Sequence, residues 1–178
     1  LLKLFSNKLL LSTKNLKVEM KIIIITGRSG SGKTTLIEKL ILHFKKQGKS
    51  IAAIKSMRHD FEIDYKGKNS ARYKEAGAMV SAITNGKKLA IVADIDEKTT
   101  PLDIAHKYLS HCDIVIIEGF KEAKHKKIEV IGNLEEEPLF ANDSNIILVV
   151  SDMEIKTNLP VIKRDDIEKL TAFIEENF

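Results

Sequence analysis

The apolar positions of this chain fall into short unbroken runs separated by longer periodic or polar stretches. Residues 21–26 (KIIIIT), 51–54 (IAAI), 113–117 (DIVII), 128–131 (IEVI) and 145–151 (NIILVVS) are the runs. A strand covered on both faces reads this way, whereas a half-exposed strand alternates. Residues 79–84 and 88–93 are also strand-like, and Asn85-Gly86 lies between them. That dipeptide suits the positive φ of a tight turn, so an antiparallel hairpin is expected. Leu36, Ile37, Leu40, Ile41 and Phe44 recur at helical spacing until Gly48. Residues 71–77 predict a short helix ending at Gly77, and Thr99, Thr100 and Pro101 predict the start of one running to about residue 110. Asp165 and Glu168 are spaced as a capping box for a last helix, whose apolar face is Ile167, Leu170, Phe173 and Ile174. Strands alternating with helices predict an α/β fold of three layers, with a mostly parallel sheet and an antiparallel hairpin. No linker-like stretch divides residues 20–178, so one domain is expected.

The first run leads straight into chemistry. Residues 21–35 read KIIIITGRSGSGKTT, in which Gly27, Gly32, Lys33 and Thr34 have the spacing of the phosphate-binding P-loop. A buried strand precedes the motif and a helix follows it, the setting the motif requires. Glycines let the backbone come close to phosphate oxygens, so successive N–H groups and a helix N-terminus face the anion. The candidate nucleotide ligands are therefore Gly27, Arg28, Ser29, Gly30, Ser31, Gly32, Lys33, Thr34 and Thr35. Lys33 is expected at the β- and γ-phosphates, and the Thr34 hydroxyl on Mg²⁺. This makes a P-loop nucleotide-binding domain the expected fold.

A second acid is needed near the ion, and one strand carries two. Asp113 and Glu118 are separated by roughly 16 Å along an extended chain and cannot serve one ion. In parallel strands Glu118 shares the P-loop's end of the sheet, so Glu118 is the candidate Mg²⁺ ligand. The polar segment 55–70 leaves the same end of a strand. There Asp60 would complete the Mg²⁺ shell through water, and Arg58 or His59 would meet an anion; the segment also reads as a charged surface loop. Lys121, Lys124, Lys126 and Lys127 read equally as phosphate contacts or as a solvated loop. His106, His111 and Cys112 lack the spacing that shares a helix face and are expected on the surface. His43 and His125 are read the same way.

Composition narrows the class. A single cysteine, Cys112, excludes an internal disulfide and suits a reducing, cytoplasmic compartment. No apolar run has membrane-spanning length. The net charge of +4 comes mostly from residues 1–19, where Lys3, Lys8, Lys14 and Lys17 oppose Glu19. The remainder is nearly balanced, and nucleic acid is not expected as a partner. Residues 1–19 are read as an extension ahead of a true start at Met20, disordered or not native; a targeting presequence is the lesser alternative.

Three blocks together resemble the molybdopterin-guanine dinucleotide biosynthesis protein B (MobB) family. They are GRSGSGKTT, HDFEIDYKGKNSARYKEAGA at 59–78, and DIVIIEGFKEAKHKKIEV at 113–130, with a weaker match in PVIKRDDIEKLTAFI at 160–174. The resemblance covers residues 21–178. It departs at Ser56, Met57 and Arg58, where the family is His-rich, at Asn69 in place of Asp, and at Ile131-Gly132, where a basic residue is common. The resemblance implies a GTP-binding protein with weak, Mg²⁺-dependent hydrolysis. It would assist conversion of molybdenum-molybdopterin to the guanine dinucleotide by a partner GMP transferase, MobA. It further implies a homodimer, Mg²⁺ service by Thr34 and Glu118, and a place for Asp60 and residues 64–70 near the γ-phosphate or pterin. Lys33, Glu118 and Asp60 are thus the candidate catalytic residues.

The base is less plainly written. No Asn-Lys-x-Asp occurs, but Asp152 follows the last apolar run, where a carboxylate would meet guanine N1 and N2; it also reads as an ordinary strand-ending acid. Two other readings compete. A P-loop small-molecule kinase using ATP would need arginines over the transferred phosphate, and Arg28, Arg58, Arg72 and Arg164 are the only four and are scattered. A pure binding adaptor would hold nucleotide without turnover, and no catalytic glutamine or arginine finger is visible.

Overall fold

The computed structural model describes residues 19–57, 59, 69–133, 135 and 137–178. Expectations for residues 1–18, and those naming Arg58, Asp60 or Asp64, lie outside them.

Six strands form one sheet in the order β2-β5-β1-β6-β7-β8, parallel throughout. They are β1 (Lys21–Thr26), β2 (Ile51–Lys55), β5 (Ile114–Glu118), β6 (Lys127–Val130), β7 (Ile146–Val150) and β8 (Val161–Ile162). The helices are α1 (Lys33–Lys46), α2 (Asn69–Glu75), α3 (Pro101–Tyr108) and α4 (Ile167–Asn177). The hairpin expected at Asn85-Gly86 forms from β3 (Val80–Thr84) and β4 (Leu89–Ala93). It stands as a separate two-stranded sheet.

Burial on both faces explains the runs of β1, β5 and β7. Residues 51–54, expected as a buried strand, instead form the edge strand β2, in which no residue is buried, because only β5 flanks it. Ile23 and Ile25 of β1 point into a core shared with Leu36, Ile37, Leu40 and Phe44 of α1 and Leu170 and Ile174 of α4. Their neighbours Ile22 and Ile24 point the other way, packing with Val115, Ile117 and Ala105 of α3. Helix layers therefore lie on both sides of the sheet, and neither face of β1 meets water. Each of these fully buried Ile side chains contributes about 2 kcal/mol over the exposed state.

Two ends differ in detail from expectation. The cap of α4 is Asp166, whose carboxylate accepts from the Lys169 N–H at 3.2 Å. Asp165, placed in a capping box by its spacing, instead pairs with Lys39 of α1 at 2.5 Å. At α3 the hydroxyl cap is Thr100, and its box partner is Asp103. Among the described residues, no helix is long and apolar enough to cross a membrane.

Candidate nucleotide site

The site is built at the carboxyl ends of β1 and β5, which are hydrogen-bonded neighbours with Ile25 opposite Glu118. Ligands bind at this edge in open parallel sheets. Residues 27–32 leave β1, and α1 begins at Lys33 with Gly32 as its cap residue in left-handed conformation, φ 91°. Gly27 has φ 140°, and a Cβ there would lie 2.3 Å from the Val130 carbonyl oxygen. Only glycine lets the chain turn so close to β6.

Lys33 folds back over this loop. Its Nζ donates to the carbonyl oxygens of Arg28 at 2.6 Å and Gly27 at 3.2 Å. Burial pushes the Lys33 ammonium below its ordinary pKa; the Glu118 carboxylate opposes this, while Lys121 and Lys55 act with burial. A bound polyphosphate would favour the charged form and reverse the balance.

Thr34 and Glu118 meet across the site. The Thr34 Oγ1 donates to the Glu118 carboxylate, lying 3.1 Å from both oxygens. Lys55 Nζ sits 3.2 Å from Glu118 Oε1. A hydroxyl and a carboxylate side by side, at the first turn of α1, are hard oxygen donors of the kind Mg²⁺ takes when phosphates and water supply the rest. The residues therefore fit the ion. Among the described residues, no group of three His, Cys, Asp or Glu forms a metal site of its own. Asp113 lies at the opposite end of β5, bonded to Ser50.

The loop after Glu118 turns through two left-handed residues, Gly119 (φ 94°) and Phe120 (φ 55°). A Cβ on Gly119 would approach the Ser56 carbonyl oxygen to 2.9 Å. Lys127, one of the four lysines read as phosphate contacts or as a solvated loop, is instead buried. Its Nζ pairs with Asp143 and donates to the carbonyls of Lys121 (2.7 Å) and Ala123 (2.6 Å). It pins the turn that carries Lys121. Lys126 donates to the Asn177 carbonyl at 2.6 Å.

On the far side of the loop lies a cavity of about 250 Å³ lined by Gly32, Thr35, Leu36, Lys39, Asp152, Arg164 and Asp165. Asp152 accepts from the Arg164 backbone N–H at 3.1 Å, and its other oxygen is 3.4 Å from Arg164 Nε. Arg164 Nη2 donates to the Ile131 carbonyl at 2.8 Å. A smaller cavity on the other side is lined by Arg28, Ser29, Ser31 and Glu129 among others. Glu129 is fully buried, and its carboxylate accepts the N–H groups of Leu139 (2.8 Å) and Phe140 (2.9 Å).

Sequence reasoning gave no role to Arg164 or Glu129. The available signals were a lone carboxylate inside a short apolar strand and an arginine between two elements in a chain with only four.

Residues 22–152 match the family model described as molybdopterin guanine dinucleotide synthesis protein B. The chain belongs to the MobB family. It is 32% identical over 157 residues to the molybdopterin-guanine dinucleotide biosynthesis adapter protein of Haemophilus influenzae, covering 85% of each chain. The Escherichia coli adapter protein is 29% identical, with 90% of this chain and 94% of that one covered. Among solved structures, Bacillus subtilis MobB superposes with a TM-score of 0.71 at 28% identity, covering 88% of this chain and 98% of that one. The fold is accordingly that of the MobB P-loop proteins, a nucleotide-binding architecture.

Proposed function

We propose that this protein is a GTP-binding adapter of molybdenum-cofactor biosynthesis, assisting a partner GMP transferase of the MobA type as molybdopterin guanine dinucleotide is formed. The observation that carries the reading is the junction of β1, β5 and α1 in a MobB-family chain. There a glycine-shaped loop, the Lys33 side chain folded over it and the Thr34–Glu118 pair lie together. Gly27 to Thr35 would hold the phosphates, Lys33 would neutralise them, and Thr34 with Glu118 would hold Mg²⁺. The ion would shield the β- and γ-phosphate charge; the chain's own residues bind and orient. Asp60 is proposed to reach the ion through water.

The larger cavity, which Gly32 and Thr35 line, is proposed to take the nucleoside end of a ligand seated on Lys33. It carries two carboxylates, Asp152 and Asp165, and two cations, Lys39 and Arg164. Guanine presents donors at N1 and N2 beside an acceptor at O6, a match for that mixture. Adenine places an acceptor at N1, which a carboxylate repels. Asp152 is therefore the proposed guanine reader.

Turnover is expected to be slow in isolation, since the sequence shows no catalytic glutamine or arginine finger. The ATP-kinase alternative finds no support in the relatives, which are named as biosynthesis adapter proteins. Calorimetric titration with GTP and ATP, with and without Mg²⁺, tests the reading. Mg²⁺ is expected to strengthen GTP binding to the wild type and to have little effect on Glu118→Gln. Tight ATP binding with GTP ignored would overturn it.

A homodimer is proposed through the β3–β4 hairpin. Two strands alone are marginally stable in water, and their open edges invite pairing. Met79 is 85% exposed and Ile83 54%. Val80, Leu89 and Ile91 are exposed beside them, an apolar surface that a second copy would cover.

A further inference from the structure

We propose that Arg164 is the platform on which the nucleotide's base stacks, and that it determines affinity for the nucleoside end while leaving phosphate binding to the loop. This rests on the nucleotide reading given above and extends it to a residue outside the P-loop.

Arg164 follows β8 and precedes α4, and its side chain reaches back across the sheet edge to the P-loop. Nη2 is bonded to the Ile131 carbonyl at 2.8 Å. On one side, a Cβ on Gly32 would lie 3.0 Å from Nη1; on another, a Cβ on Gly132 would lie 3.4 Å from Nη2. Two residues without side chains thus leave room for the flat group. The Arg164 backbone N–H donates to Asp152 Oδ1, and the guanidinium is in ion-pair range of that carboxylate, with Nε 3.4 Å from Oδ2.

The cavity's composition then limits the choices. Among the described residues, none that lines it is aromatic, and the chain has no tryptophan. Among the described lining residues, Arg164 is the one with a cationic planar group, and it is 27% exposed. A guanidinium stacks on aromatic rings through dispersion and cation–π attraction, and a purine presents such a ring. Lys39, the other lining cation, is paired with Asp165 and has no planar group. The position beside Gly32 and Thr35 puts the guanidinium on the nucleoside side of the loop, away from the Thr34–Glu118 pair.

Mg²⁺-GTP and Mg²⁺-tripolyphosphate separate base from phosphate, because the second has no ring. Calorimetric titration of the full chain with each is expected to show Arg164→Ala losing GTP affinity by at least about tenfold, with tripolyphosphate affinity held within about twofold. Arg164→Lys keeps a cation that can donate to the Ile131 carbonyl, and is expected to stay close to the alanine variant. Equal losses on both ligands, no loss on either, or full rescue by lysine would overturn the proposal. Thermal melts of both variants establish that they are folded. A wild type that binds tripolyphosphate but gains nothing from the base leaves the P-loop reading standing and defeats this one. Binding of neither ligand defeats both.

Discussion

Asp113 shows how one carboxylate type serves two ends of a strand. Glu118, at the ligand edge of β5, faces Thr34; Asp113, at the other edge, accepts the Ser50 N–H and hydroxyl, each at 2.7 Å. The backbone donor first, then the hydroxyl, hold the Asp113 carboxyl below the usual aspartate range. A folded-state pKa below the unfolded one gives stability that is present above the ordinary value near pH 4 and lost as pH falls through the folded value. Asp113→Asn is therefore expected to flatten the acid limb of a urea-stability profile below about pH 4; an unchanged limb would contradict this. The buried Lys127 makes a second test. Burial alone would raise the Asp143 carboxyl, yet Lys127 and Asn145 hold it below its usual value. Asp143→Ala leaves a lysine that is 1% exposed without its counter-charge, and is expected to cost about 3 kcal/mol in urea unfolding.

The elements were legible where one physical signal dominated. Burial on both faces writes unbroken apolar runs, so β1, β5 and β7 could be read within a residue or two. β2, an exposed edge strand, and β6, which carries Lys127 and Glu129, were placed by their short apolar stretches but not in their burial. Asn85-Gly86 specified the hairpin through turn geometry alone. Where two side chains competed for one task, the sequence was ambiguous. Asp165 and Asp166 both suit a cap, and the nearness of Lys39, a tertiary fact, assigns the cap to Asp166. Strand β8 has two residues, too few for any period to appear. The turn at Leu139–Ala141 depends on a carboxylate ten residues earlier, Glu129. For α3 the cap is local and was readable. Thr100→Ala is expected to lower stability by about 1 kcal/mol in urea unfolding, as loss of a cap with a reciprocal partner requires.

For the whole molecule, what the sequence revealed of the site is what the chain holds contiguously. Gly27 to Thr35 is one segment, and Glu118 follows from parallel strand direction. Arg164 lies more than a hundred residues from Gly32 and reaches it only through the placing of β8 at the sheet edge. The separateness of the hairpin is likewise a property of the complete fold. If a second copy covers it, Ile83→Lys with Ile91→Lys is expected to give a monomer in sedimentation while leaving GTP affinity unchanged. A wild type that sediments as a monomer would contradict the dimer. The amides around Lys33 are proposed to grip a nucleoside triphosphate, and Lys33→Ala removes the charge at the centre of that grip. Titrated with Mg²⁺-GTP, this variant is expected to lose at least about a hundredfold in affinity, the cost of a buried charge-assisted contact to phosphate. Affinity equal to that of the wild type would rule out nucleotide binding at this loop.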